Sequence, residues 1–226
     1  MSTPTLPVIF FDVNETLLDL QPVKDSVTTA LGGRQELVPL WFATLLQYSL
    51  VATVGKNYQP FGKIAAAALQ LVAKKNDLNL SEADARAAVR ALRALPPHPE
   101  VPDALRRLKK AGYRLFTLTN SDPEALANQM GHAGLDDFFE DLLSVDAVRK
   151  FKPHHETYAW AASRVGHAPG DCLLVAAHGW DVAGAGWAGM QTAFVARSGQ
   201  ATYPLADAPG MTVPDLSALA DALVAG

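Results

Sequence analysis

Apolar residues follow two rhythms along this chain. Short unbroken runs at 8–11, 114–118, 142–145, 172–176 and 192–195 predict buried strands. Between them, apolar positions recurring every three or four residues predict helices over 101–111, 123–133, 156–165 and roughly 182–189, with a terminal helix at 215–224. Strand and helix alternate, which implies parallel βαβ units and a doubly wound sheet with helices on both faces. One interval breaks the alternation. From Leu20 to Pro96 the patterns are helical only, at 37–51, 61–75 and 81–95, the last opening on an N-cap-like Ser81-Glu82-Ala83-Asp84. It closes on Pro96-Pro97-His98-Pro99, a stiff extended connection. The expected organisation is therefore a core of residues 1–19 and 97–226, with residues 20–96 inserted as an α-helical cap over the ends of the strands.

Composition narrows the classes of function. The 226 residues are 49% apolar and carry a net charge of −4, enough for a sizeable core and without the basic face that nucleic-acid binding requires. The one cysteine, Cys172, lies in a strand-like run, reads as a buried structural thiol, and fits a reducing compartment. With no basic-then-apolar leader and no apolar run judged long enough to span a bilayer, the expectation is a cytoplasmic protein without membrane partners.

The polar residues at the strand ends carry the chemistry. The first strand runs into Asp12, followed by Val13, Asn14, Glu15 and Thr16; the second into Thr119-Asn120-Ser121; the third is followed by Lys152-Pro153 and then Tyr158; the fourth leads into His178-Gly179-Trp180-Asp181. In an open α/β sheet this edge is where ligands bind. A carboxylate there is placed to act as a nucleophile, with a cation and a second acid beside it. Each residue also has a plainer reading: Thr16 and Ser121 as caps, Lys152 as a surface lysine, Tyr158 as core, His178 as a structural histidine. The remaining histidines show no metal-ligand spacing, and no metal or cofactor is expected.

Taken in order, the Asp12–Asp19 segment, Leu118-Thr119-Asn120, Ser144-Val145-Asp146 with Lys152-Pro153 and Tyr158, and Trp180-Asp181-Val182-Ala183-Gly184-Ala185 resemble the haloacid dehalogenase superfamily, and within it the type II (L-2-haloacid) dehalogenases. The resemblance implies a Rossmann-like core with a helical cap, a small haloacid substrate and a homodimer. It implies that Asp12 displaces halide from a 2-haloalkanoate to form an ester that water then hydrolyses. Lys152 would keep Asp12 ionised. Thr119, with Asn120 and the backbone around Val13 and Asn14, would bind the substrate carboxylate. Asp181, with Thr16 and Tyr158, would order the site and help activate water. Phosphatases of the superfamily carry an acid where Asn14 stands. Asn14 cannot protonate a leaving alcohol, whereas a leaving halide needs no proton. A Mg²⁺-dependent phosphatase and a catalytically silent binding protein are the alternatives.

The chain departs from the family pattern in the halide pocket and the water site. Phe42 follows Trp41 where an arginine is usual, Ala176 and His178 stand for a serine and an asparagine, and Glu15 for a glycine. His178 becomes the candidate for contacting halide or orienting water, and Phe42, Tyr48 and Trp180 the candidates for the apolar wall.

Overall fold

The computed structural model describes residues 8–225; the part of the expected core at 1–7 and residue 226 lie outside it. Six strands form one parallel sheet: β1 (Val8–Phe11), β2 (Arg114–Thr119), β3 (Asp141–Ser144), β4 (Cys172–Ala176), β5 (Gln191–Val195) and β6 (Met211–Val213). They lie in the order β3-β2-β1-β4-β5-β6. β1 is thus central, paired with β2 and β4 along its whole length. Its four residues alternate between two cores: Ile9 and Phe11 join one cluster, Val8 and Phe10 the other. The ladder ends where Asp12 N donates to Val175 O at 3.0 Å, so Asp12 is the first residue past the strand.

Helices cover both faces: α5 (Val101–Lys110), α6 (Pro123–Ala133), α7 (His155–Arg164), α8 (Gly179–Trp187) and α9 (Leu216–Ala225). Local sequence sets their ends. Asp122 caps α6 by accepting from Ala125 N, Pro123 occupies the first turn, and Gly134 at φ 64° closes the helix. Gly184 lets α8 approach the loop after β3: a Cβ there would lie 2.3 Å from Pro153 Cβ and 2.9 Å from the Tyr158 hydroxyl.

Among the described residues the interval between β1 and α5 contains only helices: α1 (Gln21–Ala30), α2 (Val38–Val54), α3 (Phe61–Lys75), α4 (Glu82–Val89) and short 3-10 turns. Trp41 Nε1 donates to Ala65 O at 3.0 Å and pins α2 to α3. The helical layer docks on the sheet through Phe151, whose ring stacks on Tyr58 at 4.8 Å and whose N–H donates to Thr53 Oγ1.

Several expectations need correcting. β6 was not expected, because three residues make too short a run to stand out. α1 was not expected either, since its apolar face is only Val23 and Val27. α8 begins at Gly179 rather than near 182, placing Asp181 in its first turn. The segment Gln35–Val54 is a 20-residue helical run of mean hydropathy 1.6, long and apolar enough to cross a membrane by length and composition, contrary to the expectation. It packs one face against α3, burying Val38, Trp41 and Leu45.

Candidate active site

The ends of β1, β2, β3 and β4 bring Asp12, Thr119, Asn120, Lys152, His178 and Asp181 to one edge of the sheet. Asp12 is 4% exposed and its carboxylate is fully engaged. Oδ1 accepts from Lys152 Nζ at 2.9 Å; Oδ2 accepts from Thr16 Oγ1 at 2.7 Å and lies 3.3 Å from His178 Nδ1. Lys152 Nζ also donates to Asp181 Oδ2 at 2.5 Å, and Tyr158 donates to Asp181 Oδ1 at 2.6 Å. The Lys152 ammonium therefore sits between two buried carboxylates. Its backbone N–H donates to Asn120 Oδ1 at 2.9 Å, which fixes the loop that carries it.

Burial alone would raise the Asp12 carboxyl, but Lys152, His178 and Thr16 outweigh it and hold it well below the usual carboxylate range. Asp181 goes the other way: burial, helped by the like charge of Asp12, raises it against the pull of Lys152. Burial would strip the Lys152 proton, yet the two carboxylates keep it on. His178 pairs with a second carboxylate, Nε2 lying 3.1 Å from Glu15 Oε2. Against the cost of burial, Asp12 and Glu15 push the imidazole up to about 9. Glu15 is held in turn by Lys24 at 2.9 Å and Gln200 at 2.8 Å. The His178 ring stacks with Phe42 at 5.8 Å and with Trp180 at 5.2 Å.

A cavity of about 470 Å³ opens between this loop and helices α1 and α2, lined among others by Asn14, Glu15, Phe42, His178, Trp180 and Gln200. Asp12 itself does not line it, but contacts His178, which does. Asn14 is held from both ends: Oδ1 accepts from Gln129 at 2.9 Å, and Nδ2 donates to Ser121 Oγ at 3.3 Å. Thr119 is buried nearby and accepts from Ser121 N. The Val13 side chain is buried in the core, and its carbonyl accepts from Leu17 and Leu18.

Tyr48 does not join the site. It is 41% exposed and borders a separate groove with Val51 and Lys63 between α2 and α3. The reason is helical geometry: six residues after Phe42 lies about 120° away around α2, on another face. Sequence patterns gave no sign of two contributors, Gln200 and Gln129, which come from a loop and a helix face. Among the described residues no three His, Cys, Asp or Glu side chains are grouped as a metal site.

A model of the haloacid dehalogenase-like hydrolase family matches residues 6–189. The chain belongs to that family. It is 32% identical over 214 residues to the (S)-2-haloacid dehalogenase of Pseudomonas sp. (strain YL), covering 94% of this chain and 92% of that one. It is 31% identical to haloacetate dehalogenase H-2 of Moraxella sp. (strain B), covering 95% and 96%. Among solved structures, L-2-haloacid dehalogenase from Xanthobacter autotrophicus with chloropropionic acid covalently bound superposes with a TM-score of 0.89 at 30% identity, covering 97% of this chain and 98% of that one. These haloacid dehalogenase relatives therefore align over nearly the whole chain, core and cap included.

Proposed function

We propose that this protein is a hydrolase of carbon–halide bonds that converts small 2-haloalkanoic acids to 2-hydroxy acids through an ester on Asp12. The observation that carries the reading is the buried Asp12 carboxylate, held ionised by Lys152 and in contact with His178, which lines the cavity, with an amide rather than an acid at Asn14. An ionised, desolvated carboxylate is a nucleophile, and a departing halide needs no acid. The names of the relatives above, including one solved with chloropropionic acid covalently bound, support the same chemistry.

The roles follow from the contacts. Asp12 attacks the α-carbon; Lys152 and Thr16 keep it charged and oriented; Asp181, fixed by Tyr158, keeps Lys152 in place. Asn14 and the loop Thr119-Asn120 border the place for the substrate carboxylate, with the backbone at Val13. His178 faces halide and water, and Phe42 and Trp180 form the apolar wall. No cofactor takes part. Residues 20–96 act as the cap over residues 1–19 and 97–226. The single Cys172, raised to about 11 by burial, suits a cytoplasmic setting. For a homodimer, the exposed α2 stripe Leu40, Tyr48, Val51 and Val54 is the surface we would assign, and light scattering of the purified protein reads the state directly.

The test is halide release from chloro-, bromo- and fluoroacetate and 2-halopropionates, with and without EDTA, using Asp12→Ala as control. Release that EDTA spares and Asp12→Ala abolishes supports the reading. Phosphate release that EDTA abolishes would favour a Mg²⁺-dependent phosphatase instead, and no turnover of either kind a binding protein.

A further inference from the structure

Glu15 has no role in the scheme above, yet it is tightly held in the nucleophile loop. It adopts φ 66°, a left-handed conformation that a side chain with a Cβ disfavours, and it is largely buried. One of its oxygens accepts from Lys24 and the other from Gln200, and that second oxygen also faces His178 Nε2. The opposite ring nitrogen of His178 faces Asp12. A carboxylate thus holds one side of an imidazole whose other side meets the nucleophile.

We propose that Glu15 and His178 form a dyad that hydrolyses the Asp12 ester, Glu15 as the positioning residue and His178 as the catalytic base. This rests on the ester chemistry of the proposed function.

The groups that face water decide for His178 over Asp181. Both Asp181 oxygens are occupied, by Lys152 and Tyr158, and the side chain is fully buried. His178 lines the cavity and Asp181 does not. Phe42 on α2 and Trp180 on α8 both stack on its ring, and its two nitrogens point to Asp12 and Glu15. The charged groups around it are Asp12 and, beyond Asp12, Lys152 and Asp181; behind Glu15 stands Lys24 on α1.

The cycle balances. In the free enzyme two carboxylates bracket the ring, and their pull keeps it protonated, its pKa raised to about 9. When an Asp12 oxygen forms its bond to the α-carbon and the carbon–halogen bond breaks, halide leaves and Asp12 becomes a neutral ester. His178 then has one anionic partner instead of two, and its Nδ1 proton passes to solvent. Water adds to Asp12 Cγ and gives a proton to Nδ1, and the imidazolium that forms is paired with Glu15. The ester C–O bond breaks, the departing alkoxide takes that proton to become the 2-hydroxy acid, and the acid form of Asp12 returns its own proton to His178. One water is consumed, and one halide and one proton are released.

The experiment is rapid-quench kinetics with 2-bromopropionate at pH 5–10 on wild type, Glu15→Gln, Glu15→Gly and His178→Gln, reading halide and, by mass spectrometry, the adduct on the Asp12 peptide. Glu15→Gly suits the left-handed backbone and so guards against a folding artefact. The expected result is a first equivalent of halide, released more slowly in His178→Gln because the ring also contacts Asp12, followed by a stall with the adduct accumulated and its hydrolysis slowed about 100-fold. In Glu15→Gln the pH inflection of adduct hydrolysis should also move down, because the imidazolium has lost its carboxylate. Variants that hydrolyse the adduct at the wild-type rate, or that lose the first halide equivalent without any adduct, overturn the dyad. Wild type that releases no halide overturns the proposed function itself, and the dyad with it.

Discussion

Glu15 and His178 are hydrogen-bond partners at 3.1 Å, although each stands where the family pattern has a different residue, a glycine and an asparagine. Phe42, a third departure, stacks on the same His178 ring. Three substitutions scattered over the sequence therefore meet in one place, as a rebuilt unit beside an intact Asp12, Lys152 and Asp181.

That unit predicts a pH dependence of stability. The His178 pKa is raised in the fold to about 9 from an ordinary 6.5. Its contribution is therefore fully present below pH 6.5 and is lost as pH rises through 9. Between those limits the wild type should lose roughly 3 kcal/mol that His178→Gln does not lose. Urea midpoints of the two proteins at pH 6 to 9 check this, and parallel curves would mean that the buried ring is uncharged. The depressed carboxyls of Asp12 and Glu15 act in a separate acidic window, where stability falls as pH drops through their folded values.

Lys152 separates two buried carboxylates. Lys152→Met should cost about 3 kcal/mol, because the two buried carboxylates lose the cation between them and one must take up a proton. It should also abolish halide release even in a single turnover, since Asp12 would take up a proton. A thermal melt and a quench experiment read the two effects separately. A protein as stable as wild type would show that Asp181 had already been protonated.

Which parts of this arrangement the sequence discloses depends on the distance over which each is fixed. Asp12 follows a continuous apolar strand, so its place at the strand end is readable locally, and Lys152 and Asp181 follow from the same rule applied to the third and fourth strands. The pairing of Glu15 with His178 spans 163 positions and exists because β1 lies beside β4, an adjacency that no local pattern states. Tyr48 fails for the opposite reason, since its helix is plain but the face it shows depends on how α2 rotates against α3. β6 is three residues held by pairing with β5, with too little sequence of its own to announce a strand.

Asn14 is held between Gln129 and Ser121, and a carboxylate can accept from both. Asn14→Asp should therefore fold with stability within about 1 kcal/mol of wild type. It should not gain Mg²⁺-dependent phosphate release from p-nitrophenyl phosphate. The added negative charge next to the haloacid carboxylate should instead raise KM for 2-bromopropionate by about tenfold, equivalent to ~1.4 kcal/mol. Phosphate release that rises with Asn14→Asp and falls with EDTA would revive the phosphatase reading.

Phe42 closes one side of the cavity and Tyr48 borders a different groove. The two positions therefore make a matched pair of tests on one helix. Phe42→Ala enlarges the space beside His178, so longer acids should gain relative to haloacetate. A methylene newly accommodated in an apolar pocket changes kcat/KM by about tenfold or more. The ratio of kcat/KM for 2-bromobutyrate to that for bromoacetate should rise by that order in Phe42→Ala. Part of the absolute rate should fall, because the His178 ring loses one of the two aromatic rings stacked on it. Tyr48→Ala should leave the ratio unchanged, since its side chain lies on another face of α2. Equal shifts in both variants would mean that the cap as a whole, and not the wall formed by Phe42, sets the choice of substrate.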